Sequence, residues 1–208
     1  MSGFAQVLLE DYKDKLDANG VESLQEIHTN AVRMGALIDA LFSLSRVARS
    51  DLTHECVNLS ALARTITHEL AVADPIRTVH IPVQHGLFAL MDQWLARTLL
   101  ANLLGNAWKF TGHVPVPRIE FAAVERDGIP TLLVRNNGAG FYMAHVGKLF
   151  APFQRLHTVS EFPGTGIGLA TAQRIVQRHG GCIWAEASIS QGATFYFTLP
   201  GMATGGTQ

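Results

Sequence analysis

Val134-Arg135-Asn136-Asn137-Gly138-Ala139-Gly140-Phe141 runs an apolar strand into a glycine turn, and Phe162-Pro163-Gly164-Thr165-Gly166-Ile167-Gly168-Leu169-Ala170 opens a second glycine loop onto a helical pattern. Glycine lets backbone approach a ligand closely, and a loop feeding a helix N-terminus presents free N–H groups to phosphate oxygens. Together the two loops predict a pocket for a phosphorylated ligand. The rest of the chain reads as supplying that pocket or closing it.

Upstream, Gln93 to Phe110 predicts a helix with Leu95, Leu99, Leu100, Leu103 and Leu104 on its buried side. Asn102 and Asn106 lie four apart and share a face, and Lys109 joins that edge. A carboxamide oxygen suits Mg²⁺, which takes few protein ligands beside phosphates and water. Lysine supplies a point charge for a terminal phosphate. An asparagine pair alone reads more readily as a solvated helix face; the two glycine loops reverse that reading in favour of a ligand.

Around this core, Val79 to Val83 and Leu87 to Met91 alternate as strands, and Arg118 to Glu125 and Pro130 to Arg135 form a hairpin through Asp127-Gly128. Arg49 to His54 is polar and reads as a linker. A helix from Asn58-Leu59-Ser60, with Ser60 as its N-cap, runs to about Ala73. Met143 to Phe150 predicts a short helix, Ala151 to Phe162 a mobile loop, and Ile167 to His179 a helix ended by Gly180-Gly181. Cys182 to Ala187 and Ala193 to Leu199 are the last strands, and Gly201 to Gln208 reads as a disordered tail.

At the other end, Phe4 to Leu16 predicts a short helix, and Gly20 is placed for a left-handed break. Val21 to Ala48 then carries a heptad seam of Leu24, Ile27, Ala31, Met34, Ile38, Leu41, Ser45 and Ala48, widened by Leu37, Phe42 and Leu44. A helical hairpin that pairs with a second copy as a four-helix bundle fits that width, which predicts a homodimer through residues 4–48. The resulting fold class is α+β: a hairpin over residues 1–50, an α/β sandwich of mixed sheet with helices on one face over 51–200, and the tail 201–208.

Composition narrows the function. A net charge of −1 over 208 residues provides no basic field for nucleic acid. No apolar run approaches the roughly 18 residues of a membrane span, so no membrane contact is expected within this chain. The two cysteines, Cys56 and Cys182, are far apart and read as reduced thiols, consistent with a cytoplasmic location.

Five motifs, in order, carry a resemblance. Asn102-Leu103-Leu104-Gly105-Asn106-Ala107-Trp108-Lys109-Phe110-Thr111 resembles the N box of sensor histidine kinases of two-component systems, and Asn136-Asn137-Gly138-Ala139-Gly140-Phe141 their first glycine box. Lys148-Leu149-Phe150-Ala151-Pro152-Phe153-Gln154-Arg155-Leu156-His157 looks like the F box, Gly164 to Ala170 the second glycine box, and Gly192-Ala193-Thr194-Phe195 the closing strand. The wording is most similar to the phytochrome-like branch. The resemblance implies a Bergerat-type ATP pocket in which Asn106 is the principal Mg²⁺ ligand with Asn102 beside it, and Lys109 meets the phosphates. It also implies that Phe110 lines the pocket, Gly138 and Gly140 shape its adenine end, and Thr165, Gly166, Ile167, Gly168 and Leu169 offer amides to the phosphates. Arg155 becomes a candidate phosphate contact on a lid, Thr194 a nucleotide contact, and a response regulator receiver domain the downstream partner. Asn102 stands where related ATPases carry a glutamate base; a carboxamide cannot take a proton, so the resemblance favours phosphoryl transfer over hydrolysis.

Two positions depart from that pattern. The family's adenine-binding aspartate is Asn136 here, whose Oδ1 still accepts a hydrogen bond, without charge assistance, at a cost of about 1–2 kcal/mol. Its NH₂ then needs an acceptor of its own. Furthermore, none of the nine histidines sits in a His-Asp/Glu-x-x-x-Pro box; His28, His54 and His68 come nearest and lack the proline or the helix position. Two readings follow: a kinase region acting on a histidine elsewhere, or a degenerate module that dimerises or docks a response regulator with weakened ATP binding.

Overall fold

The computed structural model describes residues 2–11, 15–49, 52–158 and 161–204. The chain divides into two units, residues 1–43 and 44–208. This boundary lies ahead of the expected one at 50/51, because the end of the long helix belongs to the second unit. Val47 is fully buried in that unit's core, and Arg178 donates to its carbonyl oxygen.

The first unit holds α1 (Ser2–Asp11) and most of α2 (Ala18–Arg49). α1 is shorter than expected; Tyr12 lies outside the described residues, and Leu16 falls beyond the helix. α2 begins three residues early, because Asp17 Oδ1 accepts from Gly20 N at 2.7 Å and caps it. Gly20 is therefore helical rather than a left-handed break. Ile27, Met34, Ile38 and Leu41 of the expected seam are exposed, as is Phe42 beside it, and the side chains of Leu44 and Ala48 are among those not described.

In the second unit β1 (Glu55–Asn58), α3 (Leu59–Ala73), β2 (Leu87–Met91) and α4 (Gln93–Phe110) precede the hairpin β3 (Ile119–Arg126) and β4 (Ile129–Asn136). A 3₁₀ turn (Met143–Lys148), α5 (Gly168–Arg178), β5 (Ile183–Ser188), β6 (Gly192–Phe197) and β7 (Ala203–Thr204) complete it. β1-β2-β7 form one antiparallel sheet and β3-β4-β6-β5 another. The expected strand Val79 to Val83 reduces to two parallel bridges, His80 to Arg118 and Val83 to Phe121, which make the second sheet's edge mixed.

β1 has no counterpart among the expected elements: four residues with one buried side chain carry too little pattern to stand out from the linker before them. The α3 cap is Asn58, whose Oδ1 accepts from Ala61 N at 2.9 Å. Ser60 is buried instead, donating to Gln84 O at 2.6 Å and accepting from Leu87 N at 3.0 Å. Nor is the start of the tail disordered: Gly201, in the left-handed region, turns the chain so that Ala203 pairs with Phe88. Residues 205–208 lie outside the described range.

Strand alternation sorts the four-stranded sheet. Phe121, Leu132, Val134, Phe195, Phe197 and Ala185 are buried in one core with Leu95, Leu99, Leu100, Leu103 and Leu104 of α4 and Ile175 and Val176 of α5. α4 packs between α3 and α5. The core sits between helices and sheet, and it leaves the C-terminal turn of α4, the end of β4 and the start of α5 beside each other.

Candidate functional site

Three local features build the site. The first is the polar edge of α4. Asn102 Nδ2 donates to Thr98 O one turn back at 2.8 Å, which turns Oδ1 toward Gly168; a Cβ there would stand 2.5 Å from it. Asn106 and Lys109 are half-buried on the same edge. Lys109 Nζ lies 4.3 Å from the centre of the Phe110 ring and 3.2 Å from where a Cβ on Gly164 would stand. Burial first, and then the Arg155 guanidinium, hold the Lys109 pKa below the ordinary lysine value.

The first glycine loop is threaded between α4 and the β5–β6 turn. Ala139 N donates to Phe110 O at 3.1 Å, and Ser190 N to Ala139 O at 2.8 Å. A Cβ on Gly138 would meet Phe110 O at 2.3 Å, and one on Gly140, whose φ is +62°, would meet Ser188 O at 1.9 Å. Only glycine fits at either position. At the loop's entrance Asn136 is buried: Oδ1 accepts from Gly138 N at 2.9 Å and Nδ2 donates to Ala193 O at 3.2 Å. The acceptor that the carboxamide NH₂ required is thus the neighbouring strand.

The second glycine loop leads into α5, whose first N–H groups have no intrahelical acceptor. Gly166 takes φ +75°, and its carbonyl accepts from Phe153 N at 3.0 Å, tying the loop to the F-box segment. The expected phosphate contact, Arg155, is engaged otherwise. It donates to Gly164 O at 2.7 Å, to Thr158 O at 3.1 Å and to Phe162 O, and so braces the loop.

Four contacts have no signature in the sequence motifs. His157 Nε2 lies 2.9 Å from Gly140 O, and the rings of His157 and Phe162 pack on Phe110 at 5.3 and 5.0 Å. Phe162 also meets His113 at 5.3 Å. His157 and Phe162, on either side of residues 159–160, are therefore held against the end of α4 by an aromatic cluster, for which the paired Phe162-Pro163 ahead of Gly164 was the available signal. Thr194, in contrast, is not brought to the site. It pairs with Arg135 on the opposite sheet face, Arg135 Nε donating to its Oγ1 at 3.4 Å, and Ala193 is the residue opposite Asn136.

Among the described residues no group of His, Cys, Asp or Glu could hold a metal ion. The available donors are the Asn102 and Asn106 carboxamides, which suit Mg²⁺ arriving with phosphates rather than a metal held by protein alone. A groove of about 360 Å³ runs over Glu120, Arg135, Thr194 and Glu186 on the outer sheet face and reaches Asn136, Asn137 and Ala193 at the end of β4.

Residues 91–202 match the family model of histidine kinase-, DNA gyrase B- and HSP90-like ATPases. The chain belongs to this ATPase family. Among relatives of this family member, cyanobacterial phytochrome B of Nostoc is 35% identical over 199 residues, covering 94% of this chain and 26% of that protein. Sensor protein kinase WalK of Staphylococcus epidermidis is 30% identical over 210 residues, covering 96% and 33%. The chain thus spans only about a quarter to a third of the curated relatives it matches. Full-length ShkA in complex with AMPPNP has the same fold, with a TM-score of 0.66 at 23% identity over 99% of this chain and 43% of that one. The catalytic domain of histidine kinase ThkA matches with a TM-score of 0.59 at 25% identity, over 72% and 96%. No helix among the described residues is long and apolar enough to cross a membrane.

Proposed function

We propose that this chain is the ATP-dependent catalytic region of a protein histidine kinase, transferring a phosphoryl group to a histidine outside this chain and so feeding a response regulator receiver domain. One observation carries the reading: Asn102 and Lys109 of α4 face Gly168 and Gly164 of the second glycine loop at contact distance. That juxtaposition suits a triphosphate, since amides, carboxamides and an ammonium converge from two elements.

In this reading Asn106, with Asn102 beside it, offers oxygens to Mg²⁺, which when bound neutralises phosphate charge. Lys109 pairs with phosphate oxygens, and its lowered pKa reflects a charge already partly stripped of water and in want of an anion. The amides at the start of α5 align the phosphates for in-line transfer, which needs mainly positioning and charge neutralisation. No carboxylate stands at Asn102 to take a proton from water, so the phosphoryl group passes to an imidazole nitrogen and ADP leaves. Asn136 Oδ1 meets the adenine amino group, and Phe110, Phe162 and His157 enclose the base. The exposed apolar side chains of α1 and α2 support a homodimer through residues 4–48, and ATP-dependent phosphorelay implies a cytoplasmic setting.

A second reading, a non-catalytic module that dimerises or docks a receiver domain, is favoured by Asn136, because its carboxamide is already satisfied by Gly138 and Ala193. Calorimetry with Mg²⁺-ATP, followed by labelled-phosphate transfer onto a supplied four-helix bundle bearing a His-Asp/Glu-x-x-x-Pro box, separates them. Binding with transfer supports the kinase; binding without transfer, or no binding, supports the module.

A further inference from the structure

The last turn of α4 carries the phosphate- and base-facing residues, yet a helix C-terminus is where a helix frays, because its final carbonyls lack intrahelical partners. Here each of these carbonyls is satisfied. Ala107 O accepts from Thr111 N at 3.2 Å, Lys109 O from Gly112 N at 3.1 Å and Phe110 O from Ala139 N at 3.1 Å. Trp108 O accepts from Arg77 Nη1 at 2.6 Å. The same guanidinium donates through Nη2 to Thr111 Oγ1, also at 2.6 Å, and lies over the Trp108 indole at 5.0 Å. Trp108 Nε1 in turn donates to Asp74 Oδ2 at 3.3 Å.

These groups sit behind the site. At about 100° per residue, Trp108 lies about 160° round the helix from Asn106 and Phe110, and about 100° from Lys109. Asp74, Arg77, Trp108 and Thr111 therefore grip one side of the turn while the functional side chains project from the other. A guanidinium suits this task because its planar fork serves two acceptors and an aromatic face at once, and a cation is favoured at a helix C-terminus.

From this geometry we infer that Arg77 is a positioning residue for nucleotide binding: it locks the last turn of α4 so that Lys109 and Phe110 face the pocket and Phe110 O holds the first glycine loop at Ala139. The inference rests on the nucleotide-binding reading above. It assigns a function to a residue ahead of the matched family segment, in the connection between α3 and β2, on the Trp108 side of α4.

The test is a double-mutant cycle read by calorimetry with Mg²⁺-ATP. Arg77→Met raises the ATP Kd about tenfold when Lys109 is present and about threefold in a Lys109→Ala background, where only the Phe110 and glycine-loop contacts remain to be lost, since coupled residues are not additive. Arg77→Lys keeps the charge but not the fork, and it leaves most of that loss in place. Amide hydrogen exchange in Arg77→Met rises at residues 107–111 and stays unchanged in α5. Equal losses in both Lys109 backgrounds, full rescue by lysine, or exchange rising throughout the unit each overturn the assignment. If the unaltered chain binds no ATP, the nucleotide reading fails, and the exchange pattern in Arg77→Met still decides whether the clamp exists.

Discussion

The carboxamide of Asn136 donates to the carbonyl oxygen of Ala193 at 3.2 Å, across the β4–β6 ladder. With Oδ1 accepting from Gly138 N, the amide has one orientation only, because a flip would set oxygen against oxygen and N–H against N–H. A carboxylate at this position would face the Ala193 carbonyl without a donor between them. Asn136→Asp should therefore do two opposite things. Restored charge assistance should tighten Mg²⁺-ATP binding about tenfold. The unbound protein should lose about 1–3 kcal/mol from the unpaired buried oxygen. Calorimetry and denaturant unfolding of the same variant read both, and unchanged ATP affinity would remove Asn136 from the adenine site.

Gly168→Ala tests Asn102 without touching it. The added Cβ would meet Asn102 Oδ1 at 2.5 Å, and that atom is a side-chain tip that can swing away. The fold should survive with a melting shift of no more than about 4 °C, while phosphoryl transfer falls about a hundredfold through misplacement of the carboxamide. Gly140→Ala is the contrasting case: its Cβ meets the Ser188 backbone at 1.9 Å with φ at +62°, and destabilisation of more than about 3 kcal/mol is expected. Full transfer activity in Gly168→Ala would mean that Asn102 has no part in it.

Arg155 braces the loop between the F-box segment and Gly164 rather than reaching for phosphate. In Arg155→Met, limited proteolysis should cut the 151–166 segment faster than in the parent, and ATP affinity should drop about threefold to tenfold as a charge-assisted brace is lost. Removing this neighbouring cation should also raise the Lys109 pKa, visible in the side-chain ammonium titration by NMR, although burial keeps it below the ordinary value. A Lys109 titration identical in the two proteins would show that the charges do not communicate.

His179 predicts the pH response. It is buried, with Nδ1 at 2.8 Å from Ile175 O and Nε2 at 3.2 Å from Asp92 N. Those partners assign the neutral ring with its proton on Nδ1, so Nε2 accepts the N–H of Asp92, which caps α4 through Leu95 N. Burial, and then the nearby His54, push its pKa below 6.5. The unfolded chain thus binds this proton first: its contribution to stability is complete above pH 6.5 and is lost as pH falls toward the native value, at up to about 1.4 kcal/mol per unit. Urea unfolding at pH 7.5 and 5.5 should give a larger loss for the parent than for His179→Gln. Equal losses would show that the ring titrates alike in both states.

Much of the site was legible because motif spacing maps directly onto a helix face or a tight turn. Asn102, Asn106 and Lys109 share an edge by helical period alone, and the two glycine loops mark places where a Cβ has no room. Thr194 was misplaced for an equally simple reason. A shift of one residue changes sheet face, and the register that pairs Asn136 with Ala193 is set by strands distant in sequence. Ser60 likewise looks like a cap, yet Asn58 takes that role, because Ser60 is needed by Gln84 and Leu87 in a packing that local pattern cannot reveal.

The order of elements, the helix that carries the polar edge and the two loops that need glycine are all written in the chain itself. These follow from local sterics and periodicity, which act within a few residues. The partners of Asn136, Arg155, Arg77 and His157 are not written there. Each is a polar side chain with several partners in principle, and the packing that buries Asn136 and half-buries the other three selects among them, since a polar group left unpaired away from water is costly. Folding decided that Arg155 holds a loop and Arg77 a helix end, and it turned one face of Asn136 toward Ala193.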